Sequence, residues 1–158
     1  GVLSRVTRGI YVRPKRSPYV GEVSPEPIKV AEAIAAETGS LIQIHGAEAA
    51  RRMGLSTQVP TRPIFYTNGP SRRFNLGQMQ VLLKHVCPRK LALSGSPAGI
   101  ALTALWYLGK AAVTLETIEQ IGSKLPQSEF ETLCSSTRSM PGWMHDVFVK
   151  FKATARHA

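Results

Sequence analysis

Apolar residues recur along this chain with the period of a helix in some segments and with the alternation of a strand in others. The helical period first appears between residues 24 and 38, where Ser24 supplies a helix start signal and Gly39 supplies a stop signal. The apolar stripe of this predicted helix consists of Val30, Ala31, Ile34 and Ala35. A second, alanine-rich helix is predicted over residues 47–53, with its end at Gly54.

Short apolar or alternating segments predict strands between and after these helices. Residues 41–44 indicate a buried strand, and residues 63–67 indicate the next one. Asn68-Gly69-Pro70 is typical of a turn and leads into residues 71–76, from which a second turn leads into residues 79–86. Because tight turns join these last three strands, the pattern predicts an antiparallel meander.

The last third of the chain predicts four helices, each with its own start signal. Ser96, Thr114 and Gly142 begin three of them, and Ser96 is best explained as a helix N-cap. Ser128 and Glu131 have the spacing of a capping box and are predicted to begin the remaining one. Together with the strands, these helices predict a mixed α/β (α+β) fold, a small, largely antiparallel sheet with helices packed against it.

The first residues form a separate pattern. Residues 3–12 contain two short β-branched runs around a glycine, which predicts a β-hairpin. Residues 13–24 contain prolines and basic residues and predict a semi-rigid linker. We therefore predict a hairpin and linker over residues 1–23, followed by a mixed α/β domain over residues 24–158.

The basic residues of the chain are concentrated in two stretches without acidic residues. The 158-residue chain has a formal net charge of +10 and is 43% hydrophobic, enough for one sizeable core. Residues 1–20 carry five basic side chains and no acid, and residues 49–115 carry nine and again no acid. Segregated charge of one sign attracts polyanions. This favours a nucleic-acid or acidic-protein partner over a solubilising charge excess.

Other classes of protein fit the sequence poorly. The longest uncharged run, residues 91–109, is interrupted by serine, glycine and proline, which argues against a membrane span. No signal peptide is visible, and Cys87 and Cys134 are interpreted as reduced thiols, which favours the cytoplasm.

Catalytic groups are also sparse, so we expect no enzyme activity, no bound metal and no cofactor. Asp146 is the single aspartate, and the four histidines do not have the spacing of metal ligands. His45, beside a glycine at a strand end, is the one candidate site histidine, although a structural role is the more common one. The start of the helix at Ser96 could also hold an anion.

Four segments carry a resemblance to a known family. They are LSRVTRGIYVRP at residues 3–14, GAEAA at 46–50, GLSTQVP at 54–60 and YTNGPSR at 66–72. The first resembles the end of the winged helix-turn-helix of AbiEi-type antitoxins from type IV toxin–antitoxin systems. The other three resemble blocks of a bacterial branch of the same family, and the likeness extends from residue 3 to about residue 110.

The resemblance implies an autoregulating repressor that binds its own promoter and counters a cognate toxin, in better-known members a nucleotidyltransferase-like protein. It also implies that residues 1–23 are the wing hairpin and linker of a winged helix whose recognition helix is missing from this sequence. The N-terminal residues expected near DNA are Arg5, Arg8, Arg13, Lys15 and Arg16.

A second basic surface is expected on the sheet. Arg73 and Lys84 alternate with apolar neighbours along their strands, which places both on the solvent side, whereas Arg72 shares the parity of buried Phe74. All three are candidate nucleic-acid contacts. The alternative hypothesis is a nucleic-acid-processing enzyme with a site on the central sheet around His45, His85, Arg72 and Arg73.

Overall fold

The structure, a computed structural model, describes residues 4–7, 10–12, 15–17, 21–23 and 26–156. In chain order its strands are β1 (Ser4–Thr7), β2 (Ile10–Val12), β3 (Lys15–Ser17), β4 (Gly21–Val23), β5 (Ile42–Ile44), β6 (Ile64–Thr67), β7 (Arg72–Leu76) and β8 (Met79–His85). Its α-helices are α1 (Pro27–Glu37), α2 (Gly46–Arg52), α3 (Pro97–Leu108), α4 (Leu115–Lys124), α5 (Gln127–Ser135) and α6 (Gly142–Arg156). Short 3₁₀ helices span Pro88–Leu91 and Thr137–Ser139. The mixed α+β class predicted from the sequence is confirmed.

The N-terminal residues form two hairpins. Strands β1 and β2 pair antiparallel, as predicted, and β1 lies against β7 of the main sheet. The segment predicted as a semi-rigid linker contains strands β3 and β4, which also pair antiparallel, with Lys15 opposite Val23. Proline and glycine are as typical of a tight turn between strands as of a linker, and here the strand pairing decided between the two.

The main sheet has the strand order β5-β6-β8-β7. Strand β5 is antiparallel to β6, β7 is antiparallel to β8, and β6 is parallel to β8, with Ile64 opposite Leu82. The predicted meander is therefore wrong, because β8 lies between β6 and β7. The buried residues Val81 and Leu83 of β8 are typical of a central strand. The two consecutive arginines of β7, Arg72 and Arg73, are typical of an edge strand.

Two helix starts differ from the sequence prediction. Helix α1 begins at Pro27 instead of Ser24, because Glu26 precedes a proline and is held in an extended conformation. Helix α5 begins at Gln127 after Pro126 and has no side-chain cap, and Glu131 accepts a hydrogen bond from Gln127. The capping box predicted for Ser128 and Glu131 is therefore not formed. The predicted apolar stripe of α1 is buried as expected.

The core extends from the sheet into the C-terminal helices. Helix α1 covers one face of the sheet, and α3 lies between α2 and α5. Because α3 is packed on several sides, apolar residues surround almost its whole circumference. The largest fully buried side chains of this helical half are Leu102, Leu105, Ile118, Ile121, Leu133, Met144 and Phe148.

Candidate nucleic-acid interface and adjoining cleft

One face of the sheet is covered by α1, and the other, which we call the open face, exposes basic side chains. Along β8, Val81 and Leu83 are buried, while Leu82 is half-buried and Lys84 is exposed. Arg73 is exposed on β7 and lies opposite Leu82, two positions from Lys84 along the strand. The solvent-side positions predicted for Arg73 and Lys84 are confirmed.

Arg72 does not join this pair. It is half-buried, alternates with Arg73 along β7 and lies opposite Leu83. Ile34 of α1 and Thr67 of β6 line the same small cavity as Arg72. Its expected parity with Phe74 therefore places it on the α1 side of the sheet.

The five N-terminal candidates are only partly within the described residues. Arg5 belongs to β1, and Lys15 and Arg16 belong to β3, so their strands are placed. Arg8 and Arg13 lie outside the described residues. Whether any of the five contacts DNA stays a prediction.

A cleft of about 410 Å³ opens where the open face meets α3, and we call it the α3 cleft. The sheet contributes Tyr66 and Lys84, and the 3₁₀ helix after β8 contributes Lys90. Helix α3 contributes Thr103, Trp106 and Tyr107. Because Tyr66 lies opposite Lys84 across the parallel β6–β8 pair, these two side chains share the open face.

Aromatic rings form one wall of this region. The His45 ring lies 5.0 Å from the Tyr66 ring and 5.8 Å from the Tyr107 ring, measured between centroids. Glycine at position 46 allows this packing, since a Cβ there would collide with the Cβ of Tyr107. Burial raises the pKa of Tyr66, although a hydrogen bond from the backbone of Gly46 partly opposes this.

His45 has a clear structural role, as the sequence favoured. Its Nδ1 accepts a hydrogen bond from the backbone N–H of Ala47 at 3.0 Å and so caps the start of α2. Because Nδ1 is an acceptor, the proton of the neutral ring lies on Nε2. Burial, together with the charge of Lys84, lowers the pKa of His45 and favours this neutral form.

The positive charges around the cleft lack acidic partners. Lys90 lies 5.1 Å from the centre of the Trp106 ring, and the Arg89 guanidinium lies 5.8 Å from it. Arg89 also donates a hydrogen bond to the carbonyl oxygen of Met140. Within residues 26–156, ion pairs join Glu48 to two arginines of α2, and none reaches Lys84 or Lys90.

Two buried donors without a hydrogen-bond partner among the described residues belong to side chains that line the same cleft. They are the hydroxyl of Thr103, a residue that is only 2% exposed, and the indole N–H of Trp106. Sequence analysis missed both residues, because they sit within a helix that reads as apolar. A lone threonine in the middle of that run was the available signal, but its proximity to Lys90 and Tyr66 depends on the tertiary fold.

The N-terminus of α3 interacts with a carboxylate of the protein itself. Ser96 caps the helix by accepting from the N–H of Gly99 at 3.1 Å, as predicted. The carboxylate of Glu129 from α5 accepts from the N–H of Ala98 at 3.1 Å. The anion position considered for this helix start is therefore filled by a side chain of the protein.

The residues of the enzyme hypothesis do not converge. His45 lies against Tyr66, whereas His85 donates from Nδ1 to the carbonyl oxygen of Gly69 at 2.9 Å at the end of β8. Arg72 and Arg73 alternate along β7 and so point to opposite faces. Among the residues that the structure describes, no group of three or more His, Cys, Asp or Glu side chains could hold a metal ion.

Two further expectations concern the redox state of the cysteines and the presence of a membrane-spanning helix. Cys87 is exposed and Cys134 is half-buried, and neither forms a disulfide. Burial raises the pKa of the Cys134 thiol. None of the described helices is long and apolar enough to cross a membrane.

Comparison with known protein families gives a match over most of the chain. A family model described as a family of unknown function, DUF6088, matches residues 1–133. The chain belongs to DUF6088. The matched stretch contains the open face, the α3 cleft and all of the N-terminal hairpins, and it ends within α5. No curated protein and no solved structure shows a detectable match.

Proposed function

We propose that this member of DUF6088 is a non-catalytic, DNA-associated regulator of the antitoxin type. The observation that supports this best is the exposure of Arg73 and Lys84 on one open face, inside a 67-residue stretch, 49–115, without a single acid. Diagonal positions on paired strands lie about 7–8 Å apart, so two such cations can contact one phosphate backbone together.

The N-terminal hairpin extends the same proposal. Strand β1 lies against β7, the strand that carries Arg73, and β2 lies against α1, so the hairpin adjoins the β7 edge of the sheet. In this arrangement the hairpin and the open face contact neighbouring parts of a duplex. The residues proposed to contact it are Arg5, Arg8, Arg13, Lys15, Arg16, Arg73 and Lys84, whereas Arg72, on the α1 side of the sheet, is left out.

A double Arg73→Ala, Lys84→Ala variant tests the open face. Each lost phosphate contact lowers the salt dependence of log K by about 0.9, so the slope should fall by about two units, with weaker binding and the same sequence preference. Titration of duplex DNA at several salt concentrations measures both quantities.

A matched control removes the same charge elsewhere. Lys124 and Lys150 are exposed on α4 and α6, and their double alanine variant should retain most of the affinity and slope. An equal loss in both variants would mean that DNA responds only to net charge. Unchanged binding in the Arg73 and Lys84 variant would remove the open face from the proposal.

The regulator is proposed to act in the cytoplasm on its own promoter and to neutralise a cognate toxin. This part of the proposal rests on the resemblance of four sequence segments to AbiEi-type antitoxins. Expression of the reading frame beside its gene should arrest growth, and co-expression of this chain should restore it. Growth arrest that this chain does not relieve would argue against an antitoxin.

The absence of catalysis is also part of the proposal. It is supported by the structural contacts of the two histidines, since His45 caps α2 through Nδ1 and His85 donates to the carbonyl oxygen of Gly69. Purified protein should leave labelled DNA and RNA intact with and without magnesium. Cleavage that disappears in His45→Asn, a change that keeps a capping side chain, would contradict it.

A further inference from the structure

We propose that the α3 cleft binds a nucleoside phosphate, with the phosphate near Lys84 and Lys90 and the base against the aromatic wall. This goes beyond contact with a DNA backbone, because it assigns a pocket for one nucleotide unit. The unit is either a free mononucleotide or the phosphorylated end of a strand, since both present the same chemistry.

The dimensions of the cleft suit a small ligand. Its volume of about 410 Å³ falls within the range of about 300–1,000 Å³ typical of ligand pockets. It is bounded by a strand pair on one side and by α3 on the other, and the short loop at Val86 and Cys87 also contributes to its lining. Walls built from strands and helices hold polar groups in fixed positions.

The charge of the cleft selects an anion. Lys84 and Lys90 both line it, and within residues 26–156 no carboxylate ion-pairs with either one. The ring of Trp106 holds the Lys90 ammonium at 5.1 Å from its centre, which limits the positions this flexible side chain can adopt.

The buried donors favour a ligand rich in acceptors. The hydroxyl of Thr103 and the indole N–H of Trp106 make no hydrogen bond within the described part of the chain, although both residues line the cleft. Burying a donor without an acceptor is unfavourable, and native proteins contain few such groups. Phosphate and sugar oxygens supply the acceptors that these two donors lack.

The aromatic wall distinguishes a nucleotide from a simple anion. The ring of Tyr107 is 42% exposed, and Tyr66 is half-buried beside it in the cleft. Both tyrosines are packed against the ring of His45, which fixes their orientation. Nucleobases stack on such exposed aromatic faces.

Calorimetric titration of the whole chain with AMP, GMP, CMP and UMP tests the proposal, with inorganic phosphate and adenosine as partial ligands. At least one mononucleotide should bind about tenfold or more tightly than either partial ligand, because it contacts the lysines and the rings together. Competition by a 5′-phosphorylated single strand, but not by its unphosphorylated form, would assign the site to a strand end. Binding of mononucleotides without such competition would assign it to a free ligand.

Thr103→Val is the most specific variant. Since the hydroxyl has no hydrogen-bond partner among the described residues, its removal should leave the melting temperature unchanged or raise it, while nucleotide affinity falls several-fold. Lys90→Ala should weaken binding by about tenfold or more. Lys150→Ala, exposed on α6 and outside the cleft, is the control and should bind nucleotide as the native protein does.

Three results would overturn the proposal. They are an absence of mononucleotide binding at millimolar concentration, equal affinity for phosphate and nucleotide, and unchanged affinity in both Thr103→Val and Lys90→Ala. The outcome is separable from that for DNA binding, because Lys90→Ala changes the cleft alone, whereas Arg73→Ala changes the open face alone. Nucleotide binding can therefore fail while the proposed regulator stands, and the reverse also holds.

Discussion

The two faces of the central sheet are built from the same strands and have opposite properties. On β8, Val81 and Leu83 are 0% and 3% exposed and face α1, whereas Leu82 and Lys84 face the open side. Helix α1 covers the first face with an apolar stripe and leaves little space. On the second face, α3 covers the β5 end and leaves the cleft and the basic side chains accessible.

Two glycines allow α3 to pack closely against its neighbours on the open-face side of the sheet. Gly46 lets Tyr107 pack against the start of α2, and Gly99 lets the segment around Leu93 pass close to α3. A Cβ at Gly99 would collide with the carbonyl oxygen of Leu93.

The largest difference between the faces should appear in the alanine variants of two adjacent leucines. Leu83→Ala leaves a cavity under α1 and should lower the free energy of unfolding by about 2–5 kcal/mol. Leu82→Ala removes a half-buried side chain from the open face and should cost about 1 kcal/mol. Chemical denaturation of both variants measures the contrast, and equal losses would show that the two faces contribute alike.

A smaller effect is expected where α3 approaches α2. Gly46→Ala forces the backbone near Tyr107 to shift and should destabilise the protein by about 1–3 kcal/mol. Gly142→Ala is a matched control in the first turn of α6, where a Cβ meets nothing within 4 Å, and should be neutral or slightly stabilising. A neutral Gly46→Ala would mean that the α2–α3 contact adapts easily.

The open face should also make stability depend on pH through His45. Its pKa is lowered in the folded state, so as pH falls below the ordinary value of 6.5 the unfolded chain binds a proton first, and the free energy of unfolding decreases. The decrease ends once the pH falls below the folded-state pKa. Above the ordinary pKa both states are neutral and His45 contributes no pH dependence.

His45→Asn isolates this contribution, because asparagine caps a helix without titrating. The fall in unfolding free energy between about pH 7.5 and about pH 5.5 should be smaller in this variant than in the native protein. Denaturant titrations at both pH values measure it. An identical fall in the two proteins would assign the pH dependence to other groups.

The smallest effect on stability is expected from the cations of the open face. Because Arg73 and Lys84 are exposed, their alanine substitutions should change the free energy of unfolding by no more than about 0.5 kcal/mol. Their effect should appear in DNA affinity instead. A loss of more than about 2 kcal/mol would show that these side chains serve packing, and the binding data would then need reinterpretation.

Local patterns were sufficient for most of the elements. Ser96 and Thr114 begin helices as predicted, and glycines at 39, 54 and 109 follow helix ends with positive φ. These signals act within one helical turn, so the sequence contains them in full. Where a local signal competed with another, as at Glu26 before Pro27, the steric restriction of the proline prevailed over the start signal at Ser24.

The sequence by itself determined the type of most elements, although not of β3 and β4, together with the alternation that exposes Arg73 and Lys84 and the acid-free stretch around them. Only the tertiary structure decided that β8 lies between β6 and β7 and that Tyr66, Lys90 and Thr103 meet in one cleft. The physical reason is the range of the interactions. Alternation and capping depend on neighbours along the chain, whereas strand order and the cleft depend on which distant surfaces bury the most apolar area together.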